Sequence, residues 1–129
     1  MEGVEFVSRP WGSYQVYDKN NSHNNLDRSN YVVKKLIVNP GNRVSLQYHT
    51  HRTEHWFVVG GSGIATVNDT NIQVTSGSSI DVPCGAIHRL AADVNSEGPL
   101  VVIEVQTGDI ISEDDICRIS DDYGRISSS

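Results

Sequence analysis

Basic residues are scarce in this chain: ten Lys and Arg stand against sixteen Asp and Glu, for a formal net charge of −6. That balance argues against nucleic acid as a partner, because a phosphate backbone is held by a basic footprint. It leaves room for a small anion, since a few local cations suffice for a pocket. Cysteine is nearly absent. Cys84 and Cys117 show no metal-type spacing, and a free-thiol cytoplasmic protein is the simple expectation. No stretch is apolar for the length that a membrane crossing needs. Met1-Glu2-Gly3-Val4-Glu5 has neither a basic start nor an apolar run, so neither a signal peptide nor a membrane partner is expected. Long helical periodicity is missing too, as are internal repeats and low-complexity linkers. With 129 residues, one domain with a single sizeable core is expected.

What the chain does have is a succession of short β-branched runs between turn signals. Ser13–Tyr17, Tyr31–Val38, Arg43–His49, Trp56–Val59, Ile64–Val67, Ile72–Val74, Ile80–Val82, Ile87–Ala91 and Leu100–Gln106 read as strands. Asn39-Pro40-Gly41-Asn42 and Asn68-Asp69-Thr70-Asn71 read as turns. The polar segment Lys19–Asn30, which holds His23, reads as a loop over one barrel mouth or in solvent. Many short strands with regular turns predict an all-β sandwich or barrel. Near the end, Ser112-Glu113-Asp114-Asp115 resembles an N-cap followed by acids, so a short helix or turn is expected around Ile116–Ile119.

The chemistry concentrates between Gly41 and Gly61. Gln47 and His49 are two apart and share a strand face with Ser45, while Val44, Leu46 and Tyr48 take the other. Glu54 lies a tight bend further on, and His88 follows Gly77-Ser78-Ser79-Ile80-Asp81-Val82-Pro83-Cys84-Gly85 downstream. Imidazole, carboxylate and amide oxygen form a mixed donor set suited to a divalent first-row metal with positions left open. His51 has the strand parity of His49 and is an alternative to Gln47, or a group acting on substrate. His23 and His55 read as ordinary surface or half-buried residues.

These spacings carry a resemblance. Gly41, Gln47, His49, Glu54 and Gly61 resemble the first cupin motif, with Gln in place of its usual first His. Gly77, Pro83, Gly85 and His88 resemble the second, whose final Asn is replaced by Ala92. Arg9–Tyr14, Asn39–Trp56, His88–Leu90, Pro99–Gly108 and Glu113–Arg125 are similar to the mannose-6-phosphate isomerase domain of type II phosphomannose isomerases, over nearly the whole chain. In that family the domain often follows a GDP-mannose pyrophosphorylase domain, which nothing here resembles, so a stand-alone isomerase cupin is expected. The resemblance implies a small double-stranded β-helix or jelly-roll barrel over 1–129, with its core over about 9–110, an extension over 111–126 and a frayed tail at 127–129. Cupins often dimerise through their sheets, which makes a homodimer the protein partner to expect.

The implied activity is metal-dependent isomerisation of a sugar phosphate, mannose 6-phosphate to fructose 6-phosphate. A divalent metal lowers the cost of negative charge on the reacting oxygens, a general base moves the proton, and cations anchor the phosphate. Gln47, His49, Glu54 and His88 are the expected metal ligands, with zinc the first expectation and manganese, cobalt, iron or nickel as alternatives. Glu104 interrupts an apolar strand and is a paired structural carboxylate or a catalytic one; His51 is the other candidate base. Lys34 and Lys35 must point to opposite faces, so one of them faces the site. Arg52 and Arg89 adjoin the ligands and bind phosphate or make ion pairs. Arg125, in Tyr123-Gly124-Arg125, resembles a family residue tied to isomerase activity. Thr50, Asp81, Ala91-Ala92 and Ile110 depart from the family pattern, which bears on the pocket rim and the substrate. A sugar-binding cupin without turnover and a different cupin enzyme such as an iron oxygenase remain as alternatives.

Overall fold

A computed structural model describes residues 5–20 and 30–125. Most of the loop around His23, and the residues after Arg125, lie outside that set. In chain order the strands are β1 (Glu5–Arg9), β2 (Gly12–Asn20), β3 (Tyr31–Val38), β4 (Leu46–Tyr48), β5 (Arg52–Gly60), β6 (Ser62–Val67), β7 (Thr70–Thr75), β8 (Ser79–Val82), β9 (His88–Ala92), β10 (Leu100–Gly108) and β11 (Cys117–Ser120). They form a six-stranded sheet, β1-β2-β3-β10-β5-β8, and a five-stranded sheet, β11-β4-β9-β6-β7. All pairings are antiparallel. The fold is the all-β cupin barrel that the motifs imply, and no described segment is helical. None is long and apolar enough to cross a membrane as a helix.

Strict alternation along three adjacent strands builds the interior. On β3 the buried positions are Val32, Lys34, Leu36 and Val38; on β5 they are Arg52, Glu54, Trp56 and Val58; on β10 they are Leu100, Val102, Glu104 and Gln106. Register then sorts these by chemistry. Val38 lies opposite Leu100, and Leu36 and Val58 flank Val102, giving one apolar end. Lys34 and Trp56 flank Glu104, and Glu54 lies opposite Gln106, giving one polar end. Val58, Leu100 and Val102 are fully buried, and burying each such side chain contributes about 2 kcal/mol. The apolar end thus supports a polar end that is costly to assemble.

Gly61 makes the corner from β5 to β6. Its φ is +77°, and a Cβ there would sit 2.3 Å from the Pro99 carbonyl oxygen, so a side chain fits neither the conformation nor the space. The β6–β7 turn is tight, with Asn68 at φ 53°, as its Asn-Asp pair suggests.

Two local expectations change. The strand expected over Arg43–His49 is regular only at Leu46–Tyr48, with Arg43 bridging Ala91. Because residues 44–45 precede the regular strand, Val44 lines the interior together with Ser45 instead of facing away from it. At the C-terminal end, Ser112 does accept the Asp114 N–H on its hydroxyl and the Asp115 N–H on its carbonyl, but these bonds close a turn. The residues beyond it, expected in a helix or a further turn, instead form β11, which pairs with the exposed edge of β4. A sheet edge with open backbone groups is a strong competitor for a short β-branched segment. Cys84 and Cys117 form no disulfide.

Candidate metal centre

His49 follows β4, His88 opens β9 and Glu54 lies on β5, so three strands from two sheets deliver one cluster. The Nδ1–H of His49 donates to the Asp115 carbonyl at 2.5 Å, and that of His88 to the Ala86 carbonyl at 2.8 Å. Each bond fixes the tautomer with its Nε2 lone pair free. Both Nε2 atoms lie near the Glu54 carboxylate, at 3.1 Å for His49 and 3.8 Å for His88. The ligand atoms of all three residues lie within 4.8 Å of one another, and all three residues are buried. This is a set of acceptors facing acceptors, which needs a cation or a shared proton between them. Arg52 supplies one positive charge, donating to Glu54 Oε2 at 3.0 Å and to His49 Nε2 at 3.1 Å. Two imidazoles and a carboxylate with open positions fit a divalent ion.

Electrostatics follow from this packing. Burial pushes the Glu54 carboxyl up, but a proton shared with His49 Nε2, where no cation takes its place, and the charges of His88 and Arg52 outweigh it. They hold Glu54 well below the usual carboxylate range. Burial lowers the His88 pKa, against the pull of Glu54, which favours the neutral ring that binds a metal.

A second carboxyl group stands beside the cluster. The Trp56 indole N–H bridges Glu54 Oε1 at 3.0 Å and Glu104 Oε2 at 3.3 Å, and Gln106 donates to Glu104 Oε1. Burial first, and then the negative charge of Glu54, push Glu104 up to about 7, against the countering charges of Lys34 and Arg52. Glu104 therefore changes protonation state near neutrality.

The cavity above these groups has a volume of about 90 Å³ and carries cations on its wall. Lys34 lies 4.4 Å from the Tyr14 ring centroid and pairs with Glu113. Arg125 is held by Asp121 through contacts of 2.7 and 3.2 Å. The segment that carries it is pinned back by Tyr123 Oη donating to Asn42 at 2.7 Å and by the Arg43–Asp122 pair at 2.7 Å.

Gln47, His49, Arg52, Glu54, His88, Lys34, Glu104 and Arg125 all line this one cavity. Gln47 turns its amide nitrogen to Ser45 Oγ at 3.0 Å. Of the two lysines, Lys34 is the inward one; Lys35 takes the outer face by strand alternation. His51 does not share the parity of His49, because the chain bends at 50–51. Its side chain is 46% exposed, near Asp109 at 3.7 Å, and lies off the cavity wall. Arg89 is buried but not in the cavity; it donates to the carbonyls of Val44 at 3.0 Å and Ser120 at 3.4 Å and ties β9 to its neighbours. His55 faces outward between Asp81 at 2.5 Å and Ser79 at 2.9 Å. Sequence reasoning missed Arg9, Trp56, Gln106, Glu113 and Arg118, all on the cavity wall. Gln106 was accessible from its parity with Glu104. Arg118 was not, because its place depends on β11.

Residues 2–121 match the family described as Mannose-6-phosphate isomerase C-terminal. The chain is 43% identical over 119 residues to the alginate biosynthesis protein AlgA of Pseudomonas aeruginosa. It is 39% identical over 119 residues to a mannose-1-phosphate guanylyltransferase of Klebsiella pneumoniae. Each match covers 92% of this chain and 23% of the relative, so the chain spans about a quarter of the length of these proteins. Among solved structures, a cupin-2 domain from Rhodospirillum rubrum superposes with a TM-score of 0.64 at 18% identity, covering 89% of this chain and 80% of that one. Oxalate decarboxylase from Bacillus subtilis superposes with a TM-score of 0.73 at 17% identity, covering 91% of this chain and 30% of that one. These two likenesses concern the fold. The match over 2–121 makes this chain a cupin-fold member of the mannose-6-phosphate isomerase C-terminal family.

Proposed function

We propose that this domain interconverts mannose 6-phosphate and fructose 6-phosphate through an enediol. The observation that carries the reading is the pairing, in one cavity, of the His49–Glu54–His88 cluster with Glu104, joined by the Trp56 indole. His49, Glu54 and His88 would hold a divalent ion, zinc by preference, which supplies Lewis-acid stabilisation to the substrate's oxygens when bound. The remaining steps belong to the chain's own groups. Glu104 takes the proton from C2 of the aldose and returns it to C1, while a hydroxyl proton passes from O2 to O1. A pKa of about 7 suits both halves of that transfer. Gln106 and Trp56 orient the carboxyl group. Lys34, Arg52 and Arg125 offset the negative charge of substrate and intermediate.

One observation favours a second reading. Arg52 already satisfies His49 Nε2 and Glu54 Oε2, which would suit a sugar-phosphate-binding domain that keeps the cluster without turnover. The deciding experiment is metal analysis of the purified protein, followed by a mannose 6-phosphate to fructose 6-phosphate assay with a series of divalent ions. Product with at least one ion supports the isomerase. Sugar-phosphate binding with no product under any ion rejects it in favour of the binder.

A further inference from the structure

Across the five-stranded sheet three residues stand in one cross-strand row. Arg118 on β11 lies opposite Gln47 on β4, and Gln47 lies opposite His88 on β9. All three line the cavity. Directly opposed residues project to the same side of a sheet, and two strand spacings put the ends of this row roughly 10 Å apart. One end is the metal cluster. The other is cationic: Arg118 shares the cavity wall with Arg9 and Arg125. Burial lowers the Arg118 pKa first and the charge of Arg125 lowers it further; Asp121 acts against them, Arg9 lowers it more weakly and Glu113 opposes that, so these guanidinium groups feel one another and the carboxylates beside them. Arg125 and Lys34 are each paired with a carboxylate. Arg9 instead donates to neutral oxygens, Ser8 O at 3.1 Å and Tyr14 Oη at 3.4 Å, with its guanidinium 5.2 Å from the Tyr14 ring centroid. Asp121 and Glu113 offset part of the repulsion among these cations, and an anion between Arg118 and Arg9 relieves more of it.

We infer that Arg118 and Arg9 form a phosphate subsite at the end of the cavity away from the His49–Glu54–His88 cluster, with Gln47, between that subsite and the cluster, within reach of the sugar hydroxyls. The assignment rests on the sugar-phosphate reading above and adds the direction in which the substrate lies. The row length matches an open-chain hexose 6-phosphate, with its carbonyl carbons at His88 and its phosphate at Arg118. Guanidinium forks match phosphate oxygens in pairs. The Gln47 amide nitrogen is engaged by Ser45, so its oxygen accepts from a hydroxyl.

The test is calorimetric titration of the full chain with fructose 6-phosphate, fructose and inorganic phosphate, run beside the isomerase assay. Wild type is expected to prefer fructose 6-phosphate over fructose, with phosphate competing. Arg118→Gln and Arg9→Gln should each weaken fructose 6-phosphate binding by about 10- to 100-fold. They should raise KM for mannose 6-phosphate in step, change kcat less and leave metal content intact, and Arg118→Lys should recover part of the loss. Arg9 lies outside β11, so Arg9→Gln remains informative if Arg118→Gln disturbs that strand. Undiminished fructose 6-phosphate binding in both Gln variants overturns the subsite even if the wild type is an active isomerase. Binding lost in both variants of a protein without turnover keeps the subsite and rejects the isomerase. A wild type that binds neither fructose 6-phosphate nor phosphate overturns the subsite outright.

Discussion

The main-chain oxygen of Asp115 accepts the Nδ1–H of His49 at 2.5 Å, while the Asp115 carboxylate accepts the backbone N–H groups of Thr50 and His51 at 2.9 Å each. One residue outside the barrel motifs therefore sets both the tautomer of a metal-ligand candidate and the bend beside it. Burial works against the Asp115 carboxylate, but the hydrogen bonds from Thr50 and His51 hold its pKa below the usual range. Asp115→Ala keeps the carbonyl and removes the clamp. Metal affinity, measured by competition with a chelator, should fall by about 10- to 100-fold, the scale for outer-shell partners of a ligating histidine. Unchanged affinity would show that the bend is fixed without Asp115.

Removing a ligand outright is a stronger perturbation. His49→Ala takes away one of two imidazoles and leaves Glu54 paired with Arg52 alone on that side. Purified His49→Ala protein should contain no stoichiometric metal by elemental analysis. Full occupancy in this variant would place the ion somewhere other than the His49–Glu54–His88 cluster.

Much of this cluster was legible in the sequence, because its spacings are local. His49 and Glu54 flank one bend between consecutive strands, and His88 follows a turn written in Pro83 and Gly85. Strands at Tyr31–Val38 and Leu100–Gln106 were equally legible, but which of Lys34 and Lys35 faced inward depended on the register with β10, and the strand expected at Trp56–Val59 in fact begins at Arg52, which brings Arg52 and Glu54 onto its inner face. What failed depended on longer-range pairing. The parity that linked His51 to His49 assumed a straight strand, and the Asp115 clamp bends it. Arg118 was hidden because the acids after Ser112 look like a helix start, whereas the open edge of β4 recruits Cys117–Ser120 as a strand. Arg89 adjoins His88 in sequence, yet its bonds to Val44 and Ser120 hold it outside the cavity.

Glu104 supplies a pH signature in the metal-free protein. Its pKa in the folded state, about 7, lies above its ordinary value of 4.5. Below about 4.5 the group is protonated in both states. Between the two values the unfolded chain releases a proton that the folded protein keeps, so the Glu104 contribution to stability declines as pH rises through about 7. Glu54 has the opposite sign: its depressed pKa stabilises the fold above its ordinary value and loses that contribution on acidification. Comparison with Glu104→Gln isolates the first effect. Measured by chemical denaturation, the variant should gain on wild type by a few kcal/mol as pH rises from about 4.5 to about 7. A pH-independent difference would remove Glu104 as a group that titrates near neutrality. In the isomerase assay the same variant should lose about two to four orders of magnitude in kcat with metal retained, the scale for a general base.

Arg125 separates turnover from binding. Its guanidinium reaches the cavity wall while Asp121 grips it through Nε and a terminal nitrogen, and the Asp121 carboxylate also accepts the Arg125 backbone N–H at 2.7 Å. Because that backbone bond survives substitution, Arg125→Ala should keep its metal and lose little melting temperature. A single charged donor aimed at developing negative charge is worth about two orders of magnitude in kcat/KM, and that is the expected loss for mannose 6-phosphate. The split between the constants locates the charge that Arg125 meets. A fall in kcat at constant KM puts it on the enediol oxygens, whereas a rise in KM joins it to Arg118 and Arg9 on the phosphate. Arg125→Lys should restore only part of the rate, because an ammonium lacks the two-pronged geometry that Asp121 orients. Wild-type kcat/KM in Arg125→Ala would reduce the C-terminal segment to a structural strap. The cation acting on the substrate would then be sought at Lys34 or Arg52.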